Sequence, residues 1–254
     1  MVKEKIDDII SELQTCKGTV GFYYFDPETA EEHGYNADKA FLSASVIKLP
    51  VYAALMKKAS TGEVDMDKLI SVRPGDILPS CGAINLFSKP PVLDLKTICS
   101  FMIALSDNTA SNLAIDILGI DTLNAEFKKM GFEGTHIERR LFDDQEAKKG
   151  RENYFVPQEI GRLLVDLYMG VFVDAGTSNE MIRVLKMQNI NHKIPGLMEE
   201  RFEVAHKTGE DDGISHDAGI VYCENPFIVV FASNNTDTGI FDDIVRRASL
   251  ELTG

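Results

Sequence analysis

Metal ligands are scarce and scattered in this chain. The five histidines include no H-E-x-x-H, and the four cysteines (Cys16, Cys81, Cys99, Cys223) form no C-x-x-C pair and no metal spacing. There is no P-loop and no G-x-G-x-x-G fingerprint, so nucleotide chemistry has no support, and neither a metal nor a cofactor is expected. Buried free thiols are the default reading of the cysteines. Basic residues are also few: 26 against 40 acidic ones, a formal charge of −14, which argues against nucleic acid and anionic membranes as partners. The acidic stretch "EVDMDK" reads as a solvated loop. No apolar run approaches the roughly 18 residues of a membrane span; the longest, Phe227 to Ala232, reads as a strand.

What is present is globular. Hydrophobic residues make up 44% of 254, enough for one large domain or two interleaved ones with a real core. The opening "MVKEKIDDIISELQT" carries Ile6, Ile9, Ile10 and Leu13 on one stripe, which predicts an amphipathic helix rather than a secretion signal. A cytoplasmic location is therefore expected for the sequence as it stands, or an extracytoplasmic one if a leader has been removed. "TVGFYYFD" predicts a strand, and "DPETAEEHGY" a turn into a second, shorter one. Helical patterns dominate from Ser43 to about Met187, with Gly119 and Gly131 closing two of them. "FEVAHKTG", "DAGIVYC" and "PFIVVFAS" then predict consecutive strands, and a last amphipathic helix is expected from about Gly239 to Leu252.

Strands joined by short turns make an antiparallel sheet, and strands at both ends of the chain must meet in it. The expected architecture is α+β: an antiparallel sheet flanked by the N- and C-terminal helices, with an all-helical lobe inserted. One domain spans 1–254, its α/β lobe covering about 1–42 and 188–254 and its helical lobe about 43–187. Ligands tend to lie in a cleft between such lobes.

Three short motifs bear on chemistry. In "LSASVIKLPV", Ser45 and Lys48 stand three residues apart at the head of an apolar helix, with Ser43 as its expected N-cap. Ser106-Asp107-Asn108 falls between two helices, and Lys207-Thr208-Gly209 closes a strand. Taken singly, each has a bland explanation: a capped helix with a snorkelling lysine, a helix cap, a strand-end turn. Their order, S-x-x-K then S-D-N then K-T-G, is the set that marks class A β-lactamases and penicillin-binding proteins. "TICSFMIALSDNTASNLAIDILG" resembles the central helix pair of class A β-lactamases, "GDILPSCG" the approach to it, and "AHKTGEDDGISHDAGIV" the strand pair beside their active site. The resemblance extends from about residue 15 to the C-terminus.

That resemblance implies a serine acyl hydrolase that forms an acyl-enzyme on Ser45 with β-lactams. Lys48 would be the base, with its pKa lowered by a helix N-terminus and by Lys207, and Ser106 would relay a proton to the leaving nitrogen. Asn108 would hold a substrate amide, and the backbone N–H groups of Ser45 and Glu210 would receive the oxyanion. Lys207, Thr208 and Gly209 would border an extended substrate, with Lys207 and Thr208 facing its carboxylate. The expected partner is a small-molecule or peptide substrate, β-lactam or acyl-D-Ala-D-Ala-like, bound by a monomer.

The chain departs from the family in the loop that carries R-x-E-x-x-L-N. In "THIERRLFDDQEAKKGRENYFVP", Arg139 takes the arginine position and Leu141 that of the glutamate that activates the deacylating water. An Arg139–Glu152 pair is expected to close the loop. Asp143, Asp144 and Glu146 are out-of-register replacements for the base or simply a solvated acidic loop. Slow deacylation follows as an expectation, with a D-Ala-D-Ala peptidase or a penicillin sensor that acylates without turnover as alternatives. Ala218 and Asp217 stand where the family often has a carboxylate-binding arginine, and Glu210 adds negative charge beside K-T-G. His206 and His216 are possible compensation or ordinary strand residues. Cys99 occupies a position that forms a disulfide in some members, but its partner position is Tyr52. No bridge can form there, which suits a reducing compartment.

Overall fold

A computed structural model describes residues 2–79, 81–198 and 201–254. In chain order the elements begin with α1 (Val2–Leu13), β1 (Thr19–Phe25), β2 (Glu32–Tyr35), β3 (Phe41–Leu42), a 3₁₀ turn (Ala44–Ile47) and α2 (Lys48–Ser60). They continue with β4 (Leu69–Ser71), β5 (Val92–Asp94), α3 (Leu95–Ala104), α4 (Asn108–Leu118), α5 (Ile120–Lys129), α6 (Asp144–Ala147) and β6 (Tyr154–Phe155). The last are α7 (Pro157–Tyr168), α8 (Ala175–Leu185), a 3₁₀ turn (Ile194–Leu197), β7 (Glu203–Asp211), β8 (Ile214–Tyr222), β9 (Phe227–Asn234) and α9 (Thr238–Glu251).

The main sheet is five-stranded and antiparallel, in the order β2-β1-β9-β8-β7. The first and last strands of the chain's two ends therefore meet at β1–β9. Alternation along the strands feeds two cores. Val20, Phe22, Val229 and Phe231 face α1 and α9, which bury Ile6, Ile9, Leu13, Phe241, Ile244 and Val245 against them. Tyr23, Ala205, Ala218, Val230 and Ala232 face the helical lobe. β9 is covered on both faces and so reads as an unbroken apolar run. Each such Ile or Phe contributes roughly 1.5–3 kcal/mol by leaving water.

The inserted lobe is mostly helical; it also carries a short ladder, β4 with β5, and a second, β3 with β6, joins its later part to the residues just before it. Two- and three-residue strands are too short to show an alternating pattern, so the sequence does not reveal them. α2 is buried continuously from Lys48 to Leu55, the behaviour of a helix at the centre of its lobe. All four cysteines are free, but the expectation of buried thiols holds for Cys99 alone: Cys81 is exposed, and Cys16 and Cys223 are half-buried. Among the described residues, no helix is long and apolar enough to cross a membrane.

Candidate active site

Ser45 does not lie on the expected α-helix. It lies in the 3₁₀ turn Ala44–Ile47, and the α-helix begins at Lys48. Ser43 holds the position before the turn, but its side chain makes no capping bond; its N–H donates to Asn153 O (2.8 Å), and Ala44 takes a left-handed φ of 40°. Side chains three apart eclipse in a 3₁₀ turn, so Ser45 and Lys48 still share one line.

Lys48 is buried and its Nζ donates to Ser106 O (2.8 Å), Asn108 Oδ1 (2.8 Å) and Ser106 Oγ (3.1 Å). Lys207 reaches the same hydroxyl from β7, with Nζ 3.1 Å from Ser106 Oγ and 2.7 Å from Thr208 O. One hydroxyl thus bridges two buried amines. Ser106 holds a left-handed φ of 52°, a strained setting for a non-glycine residue that its surroundings must over-determine. Asp107 does so by accepting from Ala110 N at one oxygen (2.9 Å) and from Ala83 N and Ile84 N at the other (2.8 and 2.9 Å). Gly82 lies so close to that carboxylate that a Cβ would sit 2.2 Å from Oδ2. Space at Gly209 is tight but less severe: a Cβ there would come within 3.1 Å of Val46 Cγ2 and 3.2 Å of Ser43 O, where β7 passes the Ser45 turn.

Burial, reinforced by the charge of Lys207, holds Lys48 well below the ordinary lysine range, against the opposing pull of Cys81 and Asp107. Lys207 is itself lowered to about 7, first by burial and then by Lys193, with Asp217 and Glu210 acting in the opposite direction. An amine without its proton beside a serine is a base for an attacking hydroxyl. The cavity in front of it, about 500 Å³, is lined by Ser45, Cys81, Asn108, Leu141, Asp144 and Glu210. Thr208 is buried on β7 beside Lys207.

The loop opposite is closed as expected by Arg139 on Glu152 (2.6 and 2.9 Å). Asn153 Oδ1 accepts from Glu138 N and Arg139 N (2.8 and 3.1 Å), and Asn112 grips the backbone of Leu141. The three out-of-register carboxylates part company. Asp143 accepts from Glu146 N at the start of α6, and Glu146 is held by Lys149 and Arg151. Asp144 lines the cavity.

Asp217 does not line the cavity, although its charge still acts on Lys207 and Lys193. It pairs in register with Thr208 and faces the terminal helices, where it meets His206 Nδ1 (2.9 Å) and accepts from Ile194 N (3.1 Å). Burial alone would raise its carboxyl, but His206, Lys193 and that N–H outweigh it, and the group stays below the usual carboxylate range. Neither histidine is an ordinary strand-surface residue: both are buried, and His206 is engaged with Asp217. His216 donates from Nε2 to Leu42 O (2.8 Å) and accepts at Nδ1 from Ser233 N (3.1 Å), while burial lowers it to about 3. It is a neutral packing residue against Phe41 and Phe155.

Three residues at the site were not singled out, or not resolved, by the sequence. Asn112 carries a faint signal, four residues after Asn108 on the same helix face. Asp144 was one of three equal candidates. Lys193, fully buried and bonded to Glu210, has no local signature.

Comparison with known proteins agrees with this geometry. The family described as "Beta-lactamase enzyme family" matches residues 1–253. The β-lactamase VEB-1 of Pseudomonas aeruginosa is 22% identical over 98% of this chain and 88% of its own. The crystal structure of a β-lactamase from Sphaerobacter thermophilus is similar with a TM-score of 0.85 and 26% identity, covering 98% of this chain and 97% of that one. The structure of PBP-A gives a TM-score of 0.86 at 24% identity over 97% and 93%, and a leucine-to-glutamate mutant of PBP-A is described as an acyl-enzyme complex with penicillin G.

Proposed function

Because the chain belongs to the β-lactamase enzyme family, we propose that Ser45 is its nucleophile, that β-lactams acylate it, and that hydrolysis of the ester is the slow step. Lys48, kept neutral by burial, takes the Ser45 hydroxyl proton as Oγ attacks the lactam carbonyl. The C–N bond then breaks. Ser106 gives its own proton to the leaving nitrogen and recovers one from Lys48. The N–H groups of Ser45 and Glu210 receive the oxyanion, and Asn108 orients the substrate amide. Lys207, Thr208 and Gly209 seat the far end of the substrate on the edge strand. The observation that carries this reading is the Ser106 hydroxyl, 3.1 Å from both Lys48 and Lys207.

Slow deacylation is supported by Leu141. Its half-buried apolar side chain packs on the helical-lobe core and lines the cavity in front of Ser45, where a carboxylate would be needed to polarise water. Losing a general base costs about 10²–10⁴ in rate, so the acyl-enzyme accumulates. The same feature favours a second reading, a D-Ala-D-Ala peptidase or penicillin-binding sensor in which a β-lactam is a trap. Intact-mass spectrometry over time with a penicillin separates them: an adduct that forms on wild type, is absent in Ser45→Ala, and decays slowly with turnover supports the hydrolase. An adduct that persists unchanged, with release of D-Ala from an acyl-D-Ala-D-Ala peptide, supports the peptidase, and persistence without that release supports the sensor. Equal labelling of Ser45→Ala overturns all three.

A further inference from the structure

The cation at the far end of the cleft is already occupied. Lys193 is 0% exposed, and its Nζ bonds Glu210 Oε1, while Glu210 is 47% exposed and lines the cavity that contains Ser45. The same oxygen lies 3.1 Å from His192 Nε2, which stands 3.7 Å from Asp242 Oδ2. Lys193 enters the site from the turn before β7 and lies close enough to Lys207 to act on it electrostatically. Two lysines therefore converge on the region next to K-T-G, and one is neutralised by a carboxylate of the protein itself. Of the other carboxylates nearby, Asp217 is held by His206, Asp242 stands behind His192, and Asp211 lines the cavity but holds neither lysine among the described ion pairs.

We propose that Glu210 is a built-in carboxylate filling the anion seat that Lys193 offers, so that the site selects substrates whose leaving-group end is uncharged, a carboxamide or an ester, over those with a free carboxylate there. The proposal rests on the acyl-enzyme reading above. A free carboxylate must displace Glu210 from a buried lysine or sit beside it, and like charges in contact without full hydration repel strongly. An uncharged group meets no such opposition. The oxyanion donor is the backbone N–H of the same residue, so the side chain selects at the rim without touching the reacting carbonyl.

The test compares acylation by benzylpenicillin and by its methyl ester, followed by intact mass, in wild type, Glu210→Gln and Glu210→Gln with Lys193→Met. The ratio of the two rates is the readout, so a general loss of activity in a variant cancels. In wild type the ester is expected to acylate at least as fast as the acid. Glu210→Gln, which keeps an oxygen for Lys193 but removes the charge, should shift the ratio toward the acid by about tenfold or more. Adding Lys193→Met should remove that gain. A wild type that prefers the acid, or a ratio that Glu210→Gln leaves unchanged, overturns this proposal alone. Absence of Ser45-dependent acylation by both compounds overturns the acyl-enzyme reading, and this one with it.

Discussion

Asn112 holds Leu141 with both ends of its amide: Nδ2 donates to Leu141 O at 2.9 Å, and Leu141 N donates to Oδ1 at 2.9 Å. The backbone of Leu141, the residue proposed above to deny the deacylating water a base, is thus anchored to the helix that begins at Asn108. A glutamate introduced at Leu141 would inherit that anchored backbone. Leu141→Glu should raise steady-state hydrolysis of a penicillin by about 10²-fold or more and leave the acylation rate nearly unchanged. Stopped-flow acylation and steady-state rates measured on one preparation check this. If wild type already turns over without a trapped adduct, Asp144 is the base, and Asp144→Asn should abolish that turnover.

Lys48 is expected to work as a base only while neutral. Lys48→Ala should slow acylation by about 10²–10⁴ without loss of fold, since the fold no longer has to bury an amine there. Rates of adduct formation and circular dichroism give the two halves of the result. A wild-type acylation rate would make Lys48 a spectator.

The pH profile of acylation should have two limbs of different origin. Acid protonates Lys48 as pH falls through its lowered pKa, and acylation is lost. On the alkaline side Lys207, lowered to about 7, loses its proton, so binding of a carboxylate-bearing substrate weakens above that pH. The alkaline limb should be shallower for an uncharged ester. Acylation rates of the acid and the ester between pH 5 and 9 test the assignment.

His216 is expected to make the fold acid-sensitive. The unfolded chain takes a proton at this residue near pH 6.5, the buried ring only near 3, so between those values the unfolded state binds more protons. Stability therefore rises with pH across that window and is lost on acidification, by a total on the order of 5 kcal/mol from this group. His216→Gln should be less stable at pH 7 and should lower the slope of stability against pH by about one proton between pH 4 and 6. Urea denaturation at several pH values measures both; an unchanged slope would assign the acid sensitivity elsewhere.

The Arg139–Glu152 pair, partly buried, closes the loop across thirteen residues. Arg139→Ala should increase amide exchange and proteolytic nicking within residues 140–151 while the main sheet stays protected. Mass-resolved hydrogen exchange gives the comparison.

The order of the longer helices and of the main-sheet strands, the antiparallel sheet built from both ends of the chain, and the three motifs were legible because each depends on local chemistry. Apolar spacing marks α1 and α9 on one side, the alternating and continuous strands β7 to β9 on another, and Gly119 and Gly131 stop helices by their own backbone freedom. The Arg139–Glu152 closure was legible through the resemblance. Tertiary structure decided what the charged groups near the site do. Strand register places Asp217 opposite Thr208 and delivers it to His206. The turn before β7 buries Lys193 under Glu210, and α4 brings Asn112 to a loop 29 residues away. Burial, which no short pattern reports, is what lowers the pKa of Lys48 and makes His216 a neutral packing residue. A charge's identity is written in the sequence, but its partner and its hydration are set only when distant segments pack, and those two quantities fix its chemistry.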